Sequence, residues 1–199
     1  MCNIYLVDDD QDVLDSLSWM LEGLDLKTQC FLNADSFLQT IDIKQPGIAI
    51  LDIQMPGMDG IALLKHIKQQ QSPLSIIMLT GHGTISMAVN TIQQGAMDFL
   101  EKPVDGDKLN QLLNEAKQLT INSFQSQCQL SDIKDRISHL TAREKQVMSQ
   151  VLDGKLNKVI AAELNIGQRT IELHRQKVMQ KMQVSNVAEL AYLMANSKE

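Results

Sequence analysis

The feature that most constrains the fold is a repeat in the first 121 residues, where five short apolar runs alternate with five amphipathic stretches. Runs such as "IAIL" and "SIIML" do not alternate polar with apolar residues, which is typical of parallel strands covered on both faces. Strand and helix patterns in alternation predict a doubly wound α/β domain with a five-stranded parallel sheet.

The predicted elements of this domain are regularly spaced. The strands are expected at Ile4–Val7, Leu26–Cys30, Gly47–Leu51, Ser75–Leu79 and Met97–Leu100. The helices are expected at Asp12–Gly23, Ala34–Thr40, Ile61–Gln70, Thr84–Gln94 and Gly106–Leu119. Functional groups of a doubly wound sheet collect at the carboxyl ends of its strands, so the residues that follow the strands are site candidates.

Polar side chains follow four of the predicted strands, and they are Asp8 with Asp9, Asp52, Thr80 and Lys102. Carboxylates from separate strands repel each other, which raises the pKa of one of them unless a cation lies among them. Oxygen ligands of this kind suit Mg²⁺. Taken alone, an Asp after a strand is usually a turn or cap residue. The arrival of all these groups at one sheet edge favours a site instead.

The chemistry expected of this edge is phosphoryl transfer. The carboxylate of Asp52 would attack a phosphoryl donor and form an acyl phosphate. Mg²⁺ and Lys102 would offset the charge on the transferred group, and Pro103 would help to aim the lysine. Thr80 would donate its hydroxyl to the new phosphate.

The remainder of the chain predicts a linker and an all-α domain. Residues 122–136 are polar and rich in Ser and Gln, and because they lack Gly and Pro we expect some of this linker to be helical. Residues 137–199 predict four helices. The expected boundaries are a capping box of Thr141 with Glu144, a stop at Gly154, a second helix Lys158–Leu164, a third from Gln168 to about Met182, and a fourth capped by Ser185 or Asn186 that runs to Met194.

Charge is divided unevenly between these parts. Residues 1–121 hold 7 Lys and Arg against 16 Asp and Glu, a net of −9, whereas residues 137–199 hold 9 against 6, a net of +3. A basic half suits phosphate backbones and an acidic half is repelled by them, so we expect different partners for the two halves.

The third helix of the basic half has two distinct faces when its residues are placed at 100° intervals. Ile171, Val178 and Met182 share one face, with His174 near its edge. The opposite strip holds Arg169, Glu172, Leu173, Gln176 and Gln180, with Arg175 and Lys177 on its flanks. A helix, a short turn containing Gly167 and this helix predict a helix-turn-helix whose polar strip enters a DNA major groove. A merely solvated face is the alternative.

The motifs "LVDDD", "ILDIQMPGMDG", "MLTGHG" and "GAMDFLEKP" resemble the receiver domain of bacterial two-component response regulators, closest to the FixJ-type subgroup, over about residues 1–121. The resemblance implies a flavodoxin-like domain phosphorylated on Asp52. It implies Mg²⁺ (or Mn²⁺) bound by Asp8, Asp9, Asp52 and the main-chain carbonyl of Gln54. It also implies that Thr80 and Phe99 move together on activation, with Lys102 as the family's lysine.

Two departures from the receiver pattern are visible. Asp10 replaces a common Glu, and Thr84 stands where the subgroup often has Asp. His82 flanks the site, and we interpret it as a solvated loop residue rather than a catalytic base.

The sequence from "LTAREKQVM" to "HRQKVMQKM" is similar to the LuxR-type helix-turn-helix domain over about residues 137–196. The resemblance implies that Glu172, Leu173 and Gln176 read bases. It implies phosphate contacts by Lys158, Arg169, Thr170, Arg175, Lys177 and Lys181, of which Lys181 lies towards the core side. The fourth helix, with Val187, Leu190, Ala191 and Met194, would pack in the domain core and form a dimer contact.

Together these expectations describe a two-state switch. A sensor histidine kinase would phosphorylate Asp52, and the phosphate would shift residues Thr84–Gln94, Met97–Leu100 and the last receiver helix so that two receivers pair. The homodimer would bind promoter DNA, in the cytoplasm, with RNA polymerase as a further partner. The chain would be no enzyme beyond accepting a phosphoryl group and slowly losing it. The rival hypotheses are a non-DNA output domain and a constitutive, phosphorylation-independent dimer.

Three cysteines, Cys2, Cys30 and Cys128, lack metal-type spacing and are expected to be reduced thiols, with a redox role of Cys128 as the alternative. The apolar runs are too short for a membrane span, and the N-terminus lacks the basic region of a signal peptide.

Overall fold

The computed structural model describes residues 2–23, 26–81 and 85–195, and the chain divides into two compact units, Met1–Gln125 and Ser126–Glu199. Strands and helices of the first unit alternate along the chain. The strands are β1 Asn3–Val7, β2 Thr28–Phe31, β3 Gly47–Asp52, β4 Ser75–Thr80 and β5 Asp98–Glu101. The helices are α1 Gln11–Glu22, α2 Ala34–Thr40, α3 Gly60–Gln69, α4 Ile85–Gln93 and α5 Gly106–Ser138.

The sheet of the first unit is parallel throughout, with the strand order β2-β1-β3-β4-β5. One face of the sheet packs against α1 and α5 through Leu14, Leu17 and Leu109, and the opposite face packs against Phe37 of α2 and Leu64 of α3. Every residue of β3 and β4 is buried, which explains why their sequences do not alternate. The predicted doubly wound α/β fold is confirmed.

The second strand starts later than predicted. Leu26 lies outside the strand and donates its backbone N–H to the carbonyl of Leu21, 3.1 Å away. Pairing with β1 begins only at Thr28, opposite Ile4. Since β2 is an edge strand, hydrogen bonds to one neighbour alone set its start, and an apolar residue beyond that register packs on the core without joining the sheet.

The second unit contains α6 Ala142–Leu152, α7 Asn157–Glu163, α8 Gln168–Met182 and α9 Val187–Ala195. The capping box predicted before α6 is present, with Thr141 accepting from the Glu144 N–H and Glu144 accepting from the Thr141 N–H. Asn186 caps α9 by accepting from the N–H of Glu189 at 2.9 Å.

The predicted linker 122–136 is entirely helical, because α5 continues to Ser138 instead of ending near Leu119. The last turns of α5 belong to the second unit. Ile133 is buried there and Ile137 packs against the core that contains Val178 and Met182. Within the described residues, no helix is both long enough and apolar enough to cross a membrane.

Candidate functional site

Four polar groups converge on the carboxyl edge of the sheet. Asp8 follows β1, Asp52 ends β3, Thr80 ends β4 and Lys102 follows β5. Asp8, Asp52 and Thr80 are only 1%, 4% and 2% exposed. Polar side chains buried to this extent need partners, so this edge is a built site rather than a row of turn residues.

The ammonium of Lys102 bridges two of the carboxylates. Its Nζ lies 2.6 Å from Oδ2 of Asp8 and 2.6 Å from Oδ1 of Asp52. The backbone N–H of Lys102 donates to the carbonyl of Thr80 at 2.8 Å, which ties the lysine to the end of β4. The Lys102–Pro103 peptide bond is cis. One cation therefore serves two buried anions that come from separate strands.

Backbone amides occupy the remaining oxygen atoms of these carboxylates. The Gln54 N–H donates to Oδ2 of Asp52 at 2.6 Å, and the Asp10 N–H donates to Oδ1 of Asp8 at 3.0 Å. These bonds fix the orientation of both carboxylates. The side chain of Gln54 itself is exposed.

The ionisation of the edge follows from burial and pairing. Burial raises the pKa of Asp8, and the hydrogen bond from Lys102 opposes but does not cancel this rise. Burial alone would lower the pKa of Lys102, but hydrogen bonds to Asp52 and Asp8 outweigh it and the pKa is raised. Lys102 therefore stays charged at neutral pH.

Gly60 is a site residue that the sequence reasoning missed. A Cβ atom at this position would lie 2.0 Å from the carbonyl oxygen of Asp52, far inside van der Waals contact. The Gly60 N–H also donates to the carbonyl of Ile53 at 3.0 Å. The start of α3 is thereby packed directly on the backbone of Asp52. The only sequence signal was the final glycine of "MPGMDG".

The residue types at this edge fit a magnesium ion, since Asp8 and Asp52 offer oxygen donors and already share one cation. Asp9, the third predicted carboxylate, is exposed. Across the described part of the chain, no three His, Cys, Asp or Glu side chains are grouped to hold a metal. Lys102 bridges Asp8 and Asp52, and the exposed Asp9 is not grouped with them in the described residues.

Phe99 lies in β5 and is half-buried against the core that contains Met78. His82 and Thr84, which were singled out from the sequence, lie outside the described residues.

In the second unit, α8 has the two faces expected from its sequence. Ile171, Val178 and Met182 are buried. The exposed strip consists of Arg169, Thr170, Glu172, Leu173, Gln176, Lys177 and Gln180. Leu173 is 51% exposed. His174 has a buried Nδ1 with no hydrogen-bond partner among the described residues, which fits its predicted packing role.

Lys181 differs from the other predicted phosphate contacts. Its Nζ lies 2.7 Å from Oε2 of Glu144, a carboxylate that is 3% exposed, and 3.1 Å from the carbonyl of His139. The hydrogen bond from Lys181, with that from the Thr141 backbone, lowers the pKa of Glu144 to about 2. This pairing inside the domain argues against a phosphate role for Lys181, because freeing it would leave Glu144 buried without its cation.

Three cationic side chains, those of Lys155, Lys158 and Arg175, lie near the start of α7. Arg175 donates to Oδ1 of Asn157 at 2.6 Å and lies on a cleft of about 460 Å³. The lining of this cleft is Lys155, Leu156, Asn157, Lys158, Gln168 and Arg175. Lys155 and Gln168 were not singled out in the sequence, because neither lies on the strip of α8 that a helical projection selects.

The four residues of the fourth helix that were expected in the domain core are covered to different extents. Leu190 is fully buried, and Val187 and Met194 are half-buried. Ala191 is exposed, and the neighbouring Tyr192 is 73% exposed.

Comparison with known proteins accounts for both units. Residues 4–114 match the family described as response regulator receiver domain, and residues 138–194 match the family described as bacterial regulatory proteins, luxR family. Transcriptional regulatory protein FixJ of Bradyrhizobium diazoefficiens is 40% identical over 191 residues, which is 96% of this chain and 93% of that protein. Tetrathionate response regulatory protein TtrR of Salmonella typhimurium is 37% identical over 190 residues, 96% of this chain and 90% of that protein. The solved structure of response regulator StyR is 33% identical, covers 97% of this chain and 98% of its own, and superposes with a TM-score of 0.86.

Proposed function

The chain belongs to the response regulators that join a receiver domain to a LuxR-type DNA-binding domain, and from this premise we propose that phosphorylation of Asp52 controls its binding to DNA. We assign residues 1–121 to the receiver, 122–136 to the connecting segment and 137–199 to the DNA-binding domain.

The observation that supports Asp52 as acceptor is the buried Asp8–Lys102–Asp52 cluster at the edge of the sheet. A carboxylate oxygen of Asp52 attacks phosphorus, the P–N bond of a phosphohistidine on a sensor kinase breaks, and its electron pair leaves with the imidazole. The product is an acyl phosphate. Lys102, held 2.6 Å from Asp52, offsets negative charge on the transferred group.

Asp8, Asp9, Asp52 and the main-chain carbonyl of Gln54 are the residues that would hold Mg²⁺ (or Mn²⁺). The bound ion would supply positive charge to the phosphoryl oxygens. Asp8 and Asp52 are already oriented by backbone amides, so these two donors need little rearrangement.

Activation then involves Thr80 and Phe99. Thr80 donates its hydroxyl to the phosphate, and Phe99 takes up the space on the β5 side. The surface formed by α4, β5 and α5 changes and pairs with a second receiver. A change of about 1.4 kcal/mol in the free-energy difference between the inactive and active states gives a tenfold change in activity, so a few new contacts are enough.

The α8 strip reads DNA in this proposal. Glu172, Leu173 and Gln176 contact bases, and the phosphate contacts are Lys158, Arg169, Thr170, Arg175 and Lys177. Promoter DNA, RNA polymerase and a second copy of the chain are the partners, in the cytoplasm. The protein turns over no separate substrate and slowly hydrolyses its own acyl phosphate.

The test of the acceptor is Asp52→Asn. We expect wild type to incorporate phosphate from acetyl phosphate and to dimerise with beryllofluoride in size-exclusion chromatography with light scattering. Asp52→Asn should do neither. A matched control is Asp59→Asn, which alters an exposed cap of α3 and should leave both properties intact. Phosphate incorporation and dimerisation by Asp52→Asn at the wild-type level would contradict the proposal.

A further inference from the structure

Residues 115–137 lie between the two family matches, which end at 114 and resume at 138. The whole segment is part of α5. Two of its side chains, Thr120 and Arg136, make hydrogen bonds to distant parts of the chain, each inside its own unit. Such bonds are unnecessary in a passive spacer, and they therefore call for an explanation.

Thr120 joins α5 to the beginnings of two strands. Its side chain is 1% exposed, and its hydroxyl accepts from the Gly47 N–H at 3.2 Å. The same hydroxyl lies 3.0 Å from the carbonyl of Gly47 and 2.5 Å from the carbonyl of Pro73, and it shares its one hydrogen between them. This hydroxyl therefore acts both as a donor and as an acceptor between α5 and the backbone at the start of β3 and just before β4.

The strands held in this way are those that carry the phosphorylation site at their other ends. β3 begins at Gly47 and ends at Asp52, and β4 runs from Ser75 to Thr80. Ser75 adds a second bond, from its hydroxyl to the carbonyl of Ala116 in α5 at 3.0 Å. A shift in the packing of either strand would act on α5 through these hydrogen bonds, because close-packed interiors transmit strain.

Arg136 holds the end of the helix that reads DNA. Its Nη1 donates to the carbonyl of Met182, the last residue of α8, at 2.9 Å. Its Nη2 donates to the carboxylate of Asp132 at 2.5 Å, one turn earlier in α5. Ile137 packs against the cluster that contains Met182. A guanidinium placed at the end of α8 also suits the negative end of the helix dipole.

We propose that Thr120 and Arg136 are positioning residues that couple phosphorylation of Asp52 to the setting of α8. Thr120 makes α5 respond to movement of β3 and β4. Arg136 transmits movement of the last turns of α5 to α8. The segment 115–137 is thus the coupling element of the regulator. This inference rests on the proposed function, since coupling requires that phosphorylation alters DNA binding.

The test measures a ratio in the full-length protein. The probe is a DNA duplex selected from a random library by the wild-type protein in the presence of beryllofluoride. The ratio is the affinity of each protein for this duplex with beryllofluoride, divided by its affinity for the same duplex without beryllofluoride. Thr120→Val and Arg136→Met should each lower this ratio at least fivefold, within the usual range of coupling factors. Phosphate incorporation from acetyl phosphate should stay at the wild-type level, and Thr120→Ser should restore the ratio.

Two matched controls separate coupling from general damage. Ser72→Ala removes a buried hydroxyl that bonds Ile43 and Leu74 but not α5. Arg143→Met removes an arginine that donates to the carbonyl of Leu164 at the end of α7, 2.6 Å away. Both should keep the wild-type ratio, even where stability or overall affinity falls.

The outcomes are distinct. A wild-type ratio near 1 would overturn the proposed function and this inference with it. A high wild-type ratio that Thr120→Val and Arg136→Met both retain would overturn the inference alone. An equal fall of the affinity ratio in Ser72→Ala and Arg143→Met would also overturn the inference, because the fall would then be explained by lost stability.

Discussion

At the scale of single residues, the proposed phosphorylation site depends on charge compensation and on close packing. Lys102 contacts Asp8 and Asp52 at the same distance, 2.6 Å, so removing it would leave two buried carboxylates facing each other. The raised pKa of Lys102 keeps the cation in place across the neutral range. Gly60 matters for a different reason, since it leaves room for the carbonyl of Asp52.

Gly60→Ala should destabilise the receiver. The new Cβ would lie 2.0 Å from the Asp52 carbonyl oxygen, so α3 or the β3 end must shift. We expect a loss of about 2–3 kcal/mol in the free energy of unfolding, as for other overpacked sites, and slower phosphorylation. Urea unfolding and incorporation of phosphate from acetyl phosphate measure the two effects.

Gly81→Ala is the matched control for stability, since a Cβ at Gly81 would have no neighbour within 4 Å. A Gly60→Ala protein as stable as Gly81→Ala would show that the contact with Asp52 is easily relieved.

At the scale of elements, α8 is held by contacts at its C-terminal end and exposed at its N-terminal end. Its last turns carry Lys181, which pairs with Glu144 of α6, and its final carbonyl accepts from Arg136. Its first turns make no side-chain cap and expose Arg169 and Glu172. Because its last turns are held by these contacts, α8 keeps its orientation within the second unit while its exposed first turns contact a partner.

Glu144→Gln should weaken the second unit in a pH-dependent way. The pKa of Glu144 falls from an ordinary 4.5 to about 2 on folding. A lowered carboxyl pKa stabilises the fold fully above pH 4.5, and this contribution is lost as pH falls towards 2. We expect Glu144→Gln to lower the free energy of unfolding by about 2 kcal/mol at pH 7, a value that allows for the solvent around Lys181. This loss should become smaller below pH 4.5.

Circular dichroism during urea unfolding at pH 7 and pH 3 measures this loss. Glu163→Gln is the control, because Glu163 pairs with Lys155 on the surface and its loss should have no measurable effect. An equal loss at pH 7 and pH 3 for Glu144→Gln would mean that its charge is not the source of the stability.

At the scale of the whole molecule, the two parts of the chain carry net charges of opposite sign. Residues 1–121, with a net charge of −9, are repelled by DNA, whereas residues 137–199 carry +3 and are attracted to it. Because only the second unit is attracted to DNA, the effect of salt on binding reports the phosphate contacts of that unit.

A salt series distinguishes true phosphate contacts from internal cations. For selected duplex DNA, Lys158→Ala should reduce the slope of log affinity against log salt by about 1, as for one lost phosphate contact. Lys181→Ala should lower affinity but leave the slope unchanged, because its ammonium is committed to Glu144. Fluorescence anisotropy of labelled duplex over a range of salt concentrations measures both.

The same series tests the alternative that residues 137–199 have an output other than DNA. A wild-type protein without any salt dependence would favour that alternative. Equal changes of slope for Lys158→Ala and Lys181→Ala would return Lys181 to the set of phosphate contacts.

Local sequence patterns were enough to predict the helices, the strands and the acidic edge of the sheet. Strand and helix are set by local periodicity, so α2 and α8 match their predicted ranges. The other boundaries in the described residues differ by at most two positions, except that α5 ends at Ser138 rather than near Leu119. Parallel strands deliver their carboxyl ends to one side of a sheet, which placed Asp8, Asp52, Thr80 and Lys102 together.

Which of those groups are in contact follows from the tertiary packing and not from the sequence pattern. The Lys102–Asp8 pair joins residues 94 apart, Thr120–Gly47 joins residues 73 apart, and Lys181–Glu144 joins residues 37 apart. No periodic pattern records such contacts, because they depend on how packed elements present their side chains to one another. For the same reason, the sequence placed Lys181 among the DNA contacts and overlooked Gly60, whose role exists only where α3 meets the backbone of Asp52.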